Sequence, residues 1–162
     1  MCITAGAFII MSKKFCCAFT GHRKVKEDLN IDVLTKVIKS TIERGVTTFY
    51  NGMARGFDLI AAQCVLKLKK QYPHIKLIGC VPCPNQERYF SEEDKITYYR
   101  VIQSCDEVKL ISKSFYKACM LKRNRYMVDN SSYLIAYYRG EEGGTEYTLE
   151  YAEDKEIEIY MI

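Results

Sequence analysis

Three short stretches of the chain place glycines beside side chains that bind anions. The central stretch, residues 51–58, reads Asn-Gly-Met-Ala-Arg-Gly-Phe-Asp. Glycines let the backbone approach a ligand closely, and a helix that begins there offers unpaired N–H groups and the positive end of its dipole. Such a turn is suited to bind an anion. A tight turn that needs glycine only for its geometry explains this motif, taken alone, equally well.

The other two stretches carry the same chemistry. The residues of the three that we predict to bind a ligand are Thr20, Gly21, His22 and Arg23 in the first, Gly52, Arg55, Gly56 and Asp58 in the second, and Gly143, Gly144 and Thr145 in the third. Arginine can hold a phosphate through two hydrogen bonds, and a carboxylate can accept from ribose hydroxyls. Arg123 and Asn124 are predicted to reach the same ligand from a helix, and Gln86 is a weaker candidate.

Several of these side chains have competing interpretations. Histidine ionises near neutral pH, so His22 suits a general acid, but a turn histidine that only hydrogen-bonds phosphate or backbone fits the sequence as well. Asp58 either accepts from a ligand or complements the dipole of the helix that follows it. Met120 and Met127 are interpreted as core residues.

Alternating strands and helices must position these stretches. Strands are predicted at about 15–19, 46–50, 76–81, 107–111 and 133–138, with an edge strand at 156–162. Helices lie between them; the first ends at Gly45, and Thr145 is predicted to cap the last. We therefore predict an α/β fold, a Rossmann-like three-layer sandwich with a mainly parallel sheet. Ligands bind such sheets outside the carboxyl ends of the strands, so the three stretches should meet along one edge.

Length and composition indicate a single core. With 162 residues, 48% of them hydrophobic, the chain suits one domain, which we place at residues 13–162. Residues 1–12 are predicted to be an N-terminal extension that can be disordered. No apolar run approaches the roughly 18 to 20 residues that cross a bilayer, and no convincing signal peptide is present. We expect a cytoplasmic protein without a membrane partner.

The eight cysteines are interpreted as reduced and buried. Cys80 and Cys83 have the spacing of a redox pair or half a zinc site, but no second pair or nearby histidine completes a metal site. We expect no metal and no required cofactor. The first 81 residues hold 13 Lys and Arg against 5 Asp and Glu, and the rest hold 11 against 15. A basic first half suits nucleotides or nucleic acid, although solvated helix faces explain most of those lysines.

Together these motifs resemble the YpsA/YoqJ-like branch of the SLOG superfamily. The matching residues, in order, are 19–23, 52–58 with Ala61 and Ala62, Pro82 with Gln86 and Glu87, 123–129, 143–145, and Tyr151 with Ala152. The resemblance implies a Rossmann-like fold in a bacterial or prophage protein and a pocket for a nucleotide or a nucleotide-derived ligand such as ADP-ribose. It also implies that a homodimer is to be considered, since related domains often dimerise.

Two relatives within the superfamily define competing functions. The Lonely-guy branch hydrolyses cytokinin nucleotide monophosphates with a P-G-G-x-G-T-x-x-E motif. Here Thr148 stands where the acid is needed, and Glu146 and Glu150 are displaced onto other faces of the helix. The DprA family binds single-stranded DNA, and its second turn is similar to residues 52–58, but its first turn differs from residues 20–23.

Three hypotheses follow from the sequence. The first is a regulatory protein that binds, or senses, a nucleotide-like ligand without catalysis. The second is an enzyme that cleaves a nucleotide N-glycosidic bond, with Asp58 or a glutamate of the last helix as acid or base and His22 assisting. The third is a DprA-like single-stranded DNA-binding module, whose affinity would fall steeply with salt.

Overall fold

The computed structural model describes residues 12–162, which form one six-stranded sheet with helices on both faces. The strands are β1 (Cys16–Gly21), β2 (Thr48–Asn51), β3 (Lys76–Val81), β4 (Glu107–Leu110), β5 (Tyr133–Tyr137) and β6 (Glu158–Met161). The helices are α1 (Ile31–Glu43), α2 (Phe57–Lys69), α3 (Glu92–Ser104), α4 (Cys119–Asp129) and α5 (Gly144–Asp154), with a short 3-10 helix at Gln86–Tyr89. No helix in this part of the chain is long and apolar enough to cross a membrane. Residues 1–11 of the expected extension lie outside the described range.

The strand order places a crevice beside β1. The sheet runs β4-β3-β2-β1-β5-β6, and every neighbouring pair is parallel. The chain moves outward from β1 through β2, β3 and β4, then returns to the other side of β1 for β5 and β6. The order therefore reverses between β1 and β5, which is where ligands bind in open parallel sheets. The predicted α/β, Rossmann-like fold is confirmed, and the sheet is wholly parallel.

Alternation along β1 divides the core into two layers. Cys17 and Phe19 pack with α1, α2 and α3, whereas Ala18 packs with α4 and α5 on the opposite face. All three side chains are fully buried, because a strand at the centre of a parallel sheet is covered on both sides. This packing fixes the carboxyl end of β1, and with it the loop that follows.

Of two helix ends predicted from the sequence, the structure confirms one and contradicts the other. Gly45, with φ of +102°, follows the last residues of α1 as expected, because glycine adopts this left-handed conformation without strain. The prediction that Thr145 caps the last helix is wrong. Gly143 is the N-cap of α5 and the helix begins at Gly144, so Thr145 lies within the first turn, where its side chain makes no capping hydrogen bond.

Candidate functional site

A cavity of about 500 Å³ opens at the carboxyl edge of the sheet, beside the crevice between β1 and β5. We call it the rim pocket. Of the residues predicted to bind a ligand, those that line it are Thr20, Gly21, His22, Arg23, Arg55, Asp58, Arg123, Asn124, Gly143, Gly144 and Thr145. The loops after β1, β2 and β5 therefore converge with the first half of α4 on one hollow.

Gly52 and Gly56 support the rim pocket without lining it. A Cβ atom at Gly52 would lie 2.5 Å from Nη1 of Arg123 and 2.7 Å from Oδ2 of Asp58. At Gly56, φ is +80° and a Cβ atom would lie 2.4 Å from the carbonyl oxygen of Arg23. Real Cβ atoms essentially never come so close to other atoms. Both positions therefore need glycine so that the turn after β2 can pack against its neighbours.

Arg123 is a buried cation beneath the rim pocket, with only 4% of its surface exposed. Its Nη1 donates to the carbonyl oxygens of Gly52 and, at 3.4 Å, of Cys80, and its Nε donates to Oδ1 of Asn124 at 2.7 Å. Burial lowers the pKa of Arg123, and the nearby carboxylate of Asp58 opposes that shift. The guanidinium is thus held in place as a fixed positive charge.

Asn124 connects this cation to α5. While its Oδ1 accepts from Arg123, its Nδ2 donates to Oγ1 of Thr148 at 2.8 Å, and that hydroxyl donates to the carbonyl of Gly144 at 2.6 Å. Because these three hydrogen bonds follow one another from Arg123 to Gly144, they fix α4 and the start of α5 relative to each other. Thr148 takes part as a structural residue here.

Asp58 is a buried carboxyl group with one unpartnered oxygen. The side chain is 5% exposed, and Oδ2 accepts from the backbone N–H of Ala54 at 3.3 Å. Oδ1 is buried and has no hydrogen bond to any described residue. Burial raises the pKa of Asp58 to about 6, against the lowering effects of Arg123, the Ala54 N–H and Arg23. The rim pocket therefore contains a carboxyl group that can accept a hydrogen bond and that titrates near neutral pH.

His22 is tied to the backbone. Its ring lies beside Tyr137 and Tyr138, with centroids 5.9 and 5.4 Å away, and its Nε2 accepts from the N–H of Arg139 at 2.9 Å. Accepting this bond requires an unprotonated Nε2. The structure thus matches the interpretation of His22 as a turn histidine that bonds the backbone, and Nε2 does not serve as a general acid in this arrangement.

Two of the arginines that line the rim pocket form no ion pair with any carboxylate in residues 12–162. Within residues 12–162, the side chains of Arg23 and Arg55 make no hydrogen bond or ion pair, although the charge of Arg23 acts on Asp58. Glu141, which also lines the pocket, forms an ion pair with Lys26 at 3.4 Å, with both side chains more than half exposed. The free arginines are therefore available to an anion that enters the pocket.

The N-terminus of α5 also faces the rim pocket. Gly143, Gly144 and Thr145 all line the cavity, and no side chain of the described residues caps this helix. The first N–H groups of a helix lack partners within it, and the helix dipole favours negative charge at this end. An incoming anion can therefore take the place of the missing cap.

Further residues line the rim pocket that the sequence reasoning did not select: Phe19, Lys24, Ala54, Met120, Leu121, Glu141 and Glu142. Most of them are next to a predicted ligand-binding residue in the sequence, and this adjacency is the feature that could have identified them. The interpretation of Met120 as a core residue is wrong, because this side chain is only half-buried and lies one helical turn before Asn124 on the same face of α4. Met127 is a core residue as predicted, at 1% exposure.

Polar side chains hold the turn after β2 in shape. Asn51 donates through Nδ2 to the carbonyl of Asp58 at 2.7 Å and accepts from the N–H of Met53 at 2.8 Å. Gln86 donates to the carbonyl of Met53 at 3.0 Å and does not line the rim pocket. Met53 has φ of +57°, an unfavourable conformation for a residue with a side chain. Gln86 thus helps to position this turn, and its ligand role stays a prediction.

The described cysteines are free thiols, and most of them are buried. Cys83 lies near Cys119, with 3.6 Å between the sulfur atoms, and burial is the main cause that raises its pKa to about 11. In residues 12–162, no cluster of three or more histidine, cysteine or acidic residues is arranged to hold a metal ion.

Comparison with known proteins gives a consistent family. The YpsA family model, described as the YspA SLOG family, matches residues 17–162. The SPbeta prophage-derived protein YoqJ of Bacillus subtilis is 35% identical over 134 residues, which cover 75% of this chain and 78% of YoqJ. A UPF0398 protein of Halalkalibacterium halodurans is 33% identical over 122 residues, covering 74% of this chain and 65% of that protein.

Two solved structures have a similar fold. DNA processing protein A from Helicobacter pylori, whose structure concerns its single-stranded DNA binding mode, superposes with a TM-score of 0.66 at 18% identity. The match covers 95% of this chain and 67% of that one. DprA from Streptococcus pneumoniae gives a TM-score of 0.66 at 17% identity, with 96% of this chain covered and 52% of the other. At such low identity the similarity concerns the fold alone.

Proposed function

The chain belongs to the YspA SLOG family, and we propose that its rim pocket binds a nucleotide or a nucleotide-derived ligand, of which ADP-ribose is one example, in a regulatory role. A phosphate of the ligand lies between the uncapped start of α5 and the guanidinium groups of Arg23 and Arg55. A ribose hydroxyl donates to Oδ1 of Asp58. The cavity of about 500 Å³ is of the size that small-molecule sites usually have.

The observation that carries this proposal is the combination of unused donors and one unused acceptor around a single hollow. Among the described residues, no side chain caps the first turn of α5 and none is a partner of Arg55. Asp58, which lines the same cavity, keeps a buried oxygen that no described residue hydrogen-bonds. Buried polar atoms are nearly always satisfied, so an unsatisfied one beside a pocket needs an explanation, and a ligand hydroxyl supplies it.

The roles of Arg123 and Asn124 in the proposal are indirect. Their hydrogen bonds are already made within the protein, to Gly52 and Thr148 among others. Arg123 contributes its positive charge to the floor of the pocket, and Asn124 holds the start of α5 in position. The proposal therefore assigns direct phosphate contacts to Arg23 and Arg55 and a supporting role to the buried pair.

Isothermal titration calorimetry with AMP and ADP-ribose tests the proposal. We expect the wild type to bind at least one of the two. Because a hydrogen bond to a charged group contributes about 1.5 to 3 kcal/mol, Arg55→Ala should weaken binding roughly 10- to 100-fold. Arg100→Ala is the matched control, since Arg100 is an exposed arginine of α3 outside the rim pocket.

The folded state of each variant is checked by its melting temperature. Arg55 makes no hydrogen bond to a described residue, so Arg55→Ala should melt close to the wild type. Equal affinity of Arg55→Ala and Arg100→Ala for every nucleotide that binds would contradict the assignment of phosphate to this pocket. Absence of binding to any nucleotide would contradict the proposed function itself.

A second candidate function, hydrolysis of an N-glycosidic bond, has one specific observation in its favour. The pKa of Asp58, raised by burial to about 6, suits a general acid or base near neutral pH. Neither Glu146 nor Glu150 lines the rim pocket, and Glu146 accepts from the hydroxyl of Tyr138 at 2.9 Å. Of the acids that the sequence predicts for this role, Asp58 is the one that lines the rim pocket. Chromatography of each bound nucleotide after long incubation distinguishes the two functions, because only an enzyme releases free base.

A further inference from the structure

A second hollow, of about 430 Å³, lies beside the rim pocket at the same edge of the sheet. The loops that follow β3 and β4 form it, and Met120 lines both cavities. We call it the aromatic shelf, after Tyr89 and Phe115, which form part of its lining. Because Met120 borders both hollows, a ligand that fills the rim pocket can extend over this residue onto the shelf.

The two aromatic rings of the shelf are unusually exposed. Tyr89 is 81% and Phe115 is 72% exposed, more than any other large hydrophobic residue among residues 12–162. Neither ring contributes to the core, so folding does not account for them. Exposed aromatic residues beside a cavity are typical of binding surfaces, where flat rings stack on flat ligands.

The charge of the shelf indicates what kind of flat ligand it suits. The guanidinium of Arg88 lies 5.3 Å from the ring centroid of Tyr89, and Lys113 also lines the hollow. None of the described residues that line it is acidic. Cations interleaved with exposed aromatic rings suit bases that are joined by phosphates, since the rings stack on the bases while the cations neutralise the phosphates.

We propose that the aromatic shelf binds a second nucleobase, which is joined through phosphate to the nucleotide in the rim pocket. This inference rests on the proposed function and narrows it to ligands that contain two bases. The second base stacks on Tyr89 or Phe115, and the linking phosphate passes Arg88 and Lys113. The two-base ligand is either a pyrophosphate-linked dinucleotide or a segment of single-stranded nucleic acid, which share this chemistry.

Calorimetry with three probes tests the inference. The probes are AMP, two adenosines joined through a pyrophosphate, and the DNA dinucleotide of deoxyadenosine with a terminal phosphate. We expect at least one of the two-base probes to bind roughly tenfold more tightly than AMP, because stacking of one base on an aromatic side chain contributes about that much affinity. A double variant, Tyr89→Ala with Phe115→Ala, should lose that advantage and bind AMP like the wild type.

Two controls show whether a loss of affinity in the double variant comes from lost stacking, and not from misfolding or from the loss of any exposed apolar side chain. Because both rings are exposed, the double variant should melt like the wild type. Ile96→Ala removes a side chain that is 59% exposed on α3, outside both cavities, and should leave all three affinities unchanged. The two-base probe that gains affinity identifies the source of the ligand, a dinucleotide or a nucleic acid strand.

Other results would overturn the inference. If AMP binds and neither two-base probe binds more tightly, or if the double variant keeps the full advantage, the shelf does not hold a second base although the proposed function stands. If AMP and both two-base probes fail to bind while ADP-ribose binds, this inference fails and the proposed function stands. If ADP-ribose fails to bind as well, the proposed function fails and this inference fails with it.

Discussion

The variant Asp58→Asn should gain stability relative to the wild type as the pH rises from about 4 to about 7. The folded-state pKa of Asp58 is about 6, above its ordinary value of 3.8, because burial disfavours the carboxylate. The folded protein therefore retains a proton that the unfolded chain has already released, and the wild type loses stability as the pH rises through this window. At 1.36 kcal/mol per pKa unit, full ionisation costs about 3 kcal/mol. Asparagine does not ionise, so the variant avoids this cost.

Urea denaturation of both proteins at about pH 4 and about pH 7.5 measures the effect. The quantity of interest is the change, between the two pH values, in the stability difference between variant and wild type. Effects of the substitution that do not depend on pH, such as the altered contact with Ala54, cancel in this comparison. We expect the variant to gain most of the roughly 3 kcal/mol over this range.

Asp106→Asn provides a control in which the pKa of the removed carboxyl group is shifted in the opposite direction. Burial raises the pKa of Asp106, but hydrogen bonds from Lys69 and from the N–H of Leu77 outweigh it, so that its pKa is lowered overall. The stability that this carboxylate contributes is present above its unfolded-state pKa of 3.8 and is lost as the pH falls below that value, so the stability difference between Asp106→Asn and the wild type should change little between about pH 4 and about pH 7.5. If Asp58→Asn instead follows the wild type at every pH, the carboxyl group is not desolvated as the structure shows, and the reasoning is refuted.

Two further expectations follow from the packing. Gly52→Ala should destabilise the protein by roughly 1 to 3 kcal/mol, because the new Cβ would overlap the guanidinium of Arg123. Gly144→Ala is the control: a Cβ there would lie 4.0 Å from its nearest neighbouring atom, so this variant should melt close to the wild type. Equal melting of these two variants would contradict the close packing at Gly52. Cys83 is 2% exposed, and its pKa is raised to about 11. It should therefore react with a thiol reagent far more slowly in the native protein than in urea, which mass spectrometry of labelled peptides measures. Rapid labelling of Cys83 in the native protein would contradict its burial.

The fold was largely accessible from the sequence because its signals are local. Apolar runs separated by helical spacing define parallel strands and crossover helices, and the edge where their loops meet follows from topology alone. The left-handed Gly45 and the third strand, at residues 76–81, were found in this way. The 3-10 helix at Gln86–Tyr89 was not predicted, since four residues after a proline-containing turn carry no periodic pattern.

The loops that form the candidate site could be predicted from the sequence, but the contacts between their side chains could not. The hydrogen bond from buried Arg123 to the carbonyl of Gly52 connects residues 71 positions apart, and no local sequence pattern predicts it. The bond between His22 and the N–H of Arg139 likewise depends on β1 and β5 being neighbours in the sheet. The Thr145 cap failed because two successive glycines allow more than one starting residue, and only the backbone geometry at Gly143 decides between them.

The most direct test of the account is an NMR titration that locates the ligand residue by residue. Backbone amide shifts of isotope-labelled protein are followed as ADP-ribose or AMP is added. We expect the largest changes at Arg23, Arg55, Gly143 and Gly144, with the loop around Tyr72 at the opposite edge of the sheet unchanged. Changes confined to surfaces away from the rim pocket, or none with either nucleotide, would contradict the claim that this pocket is the nucleotide site.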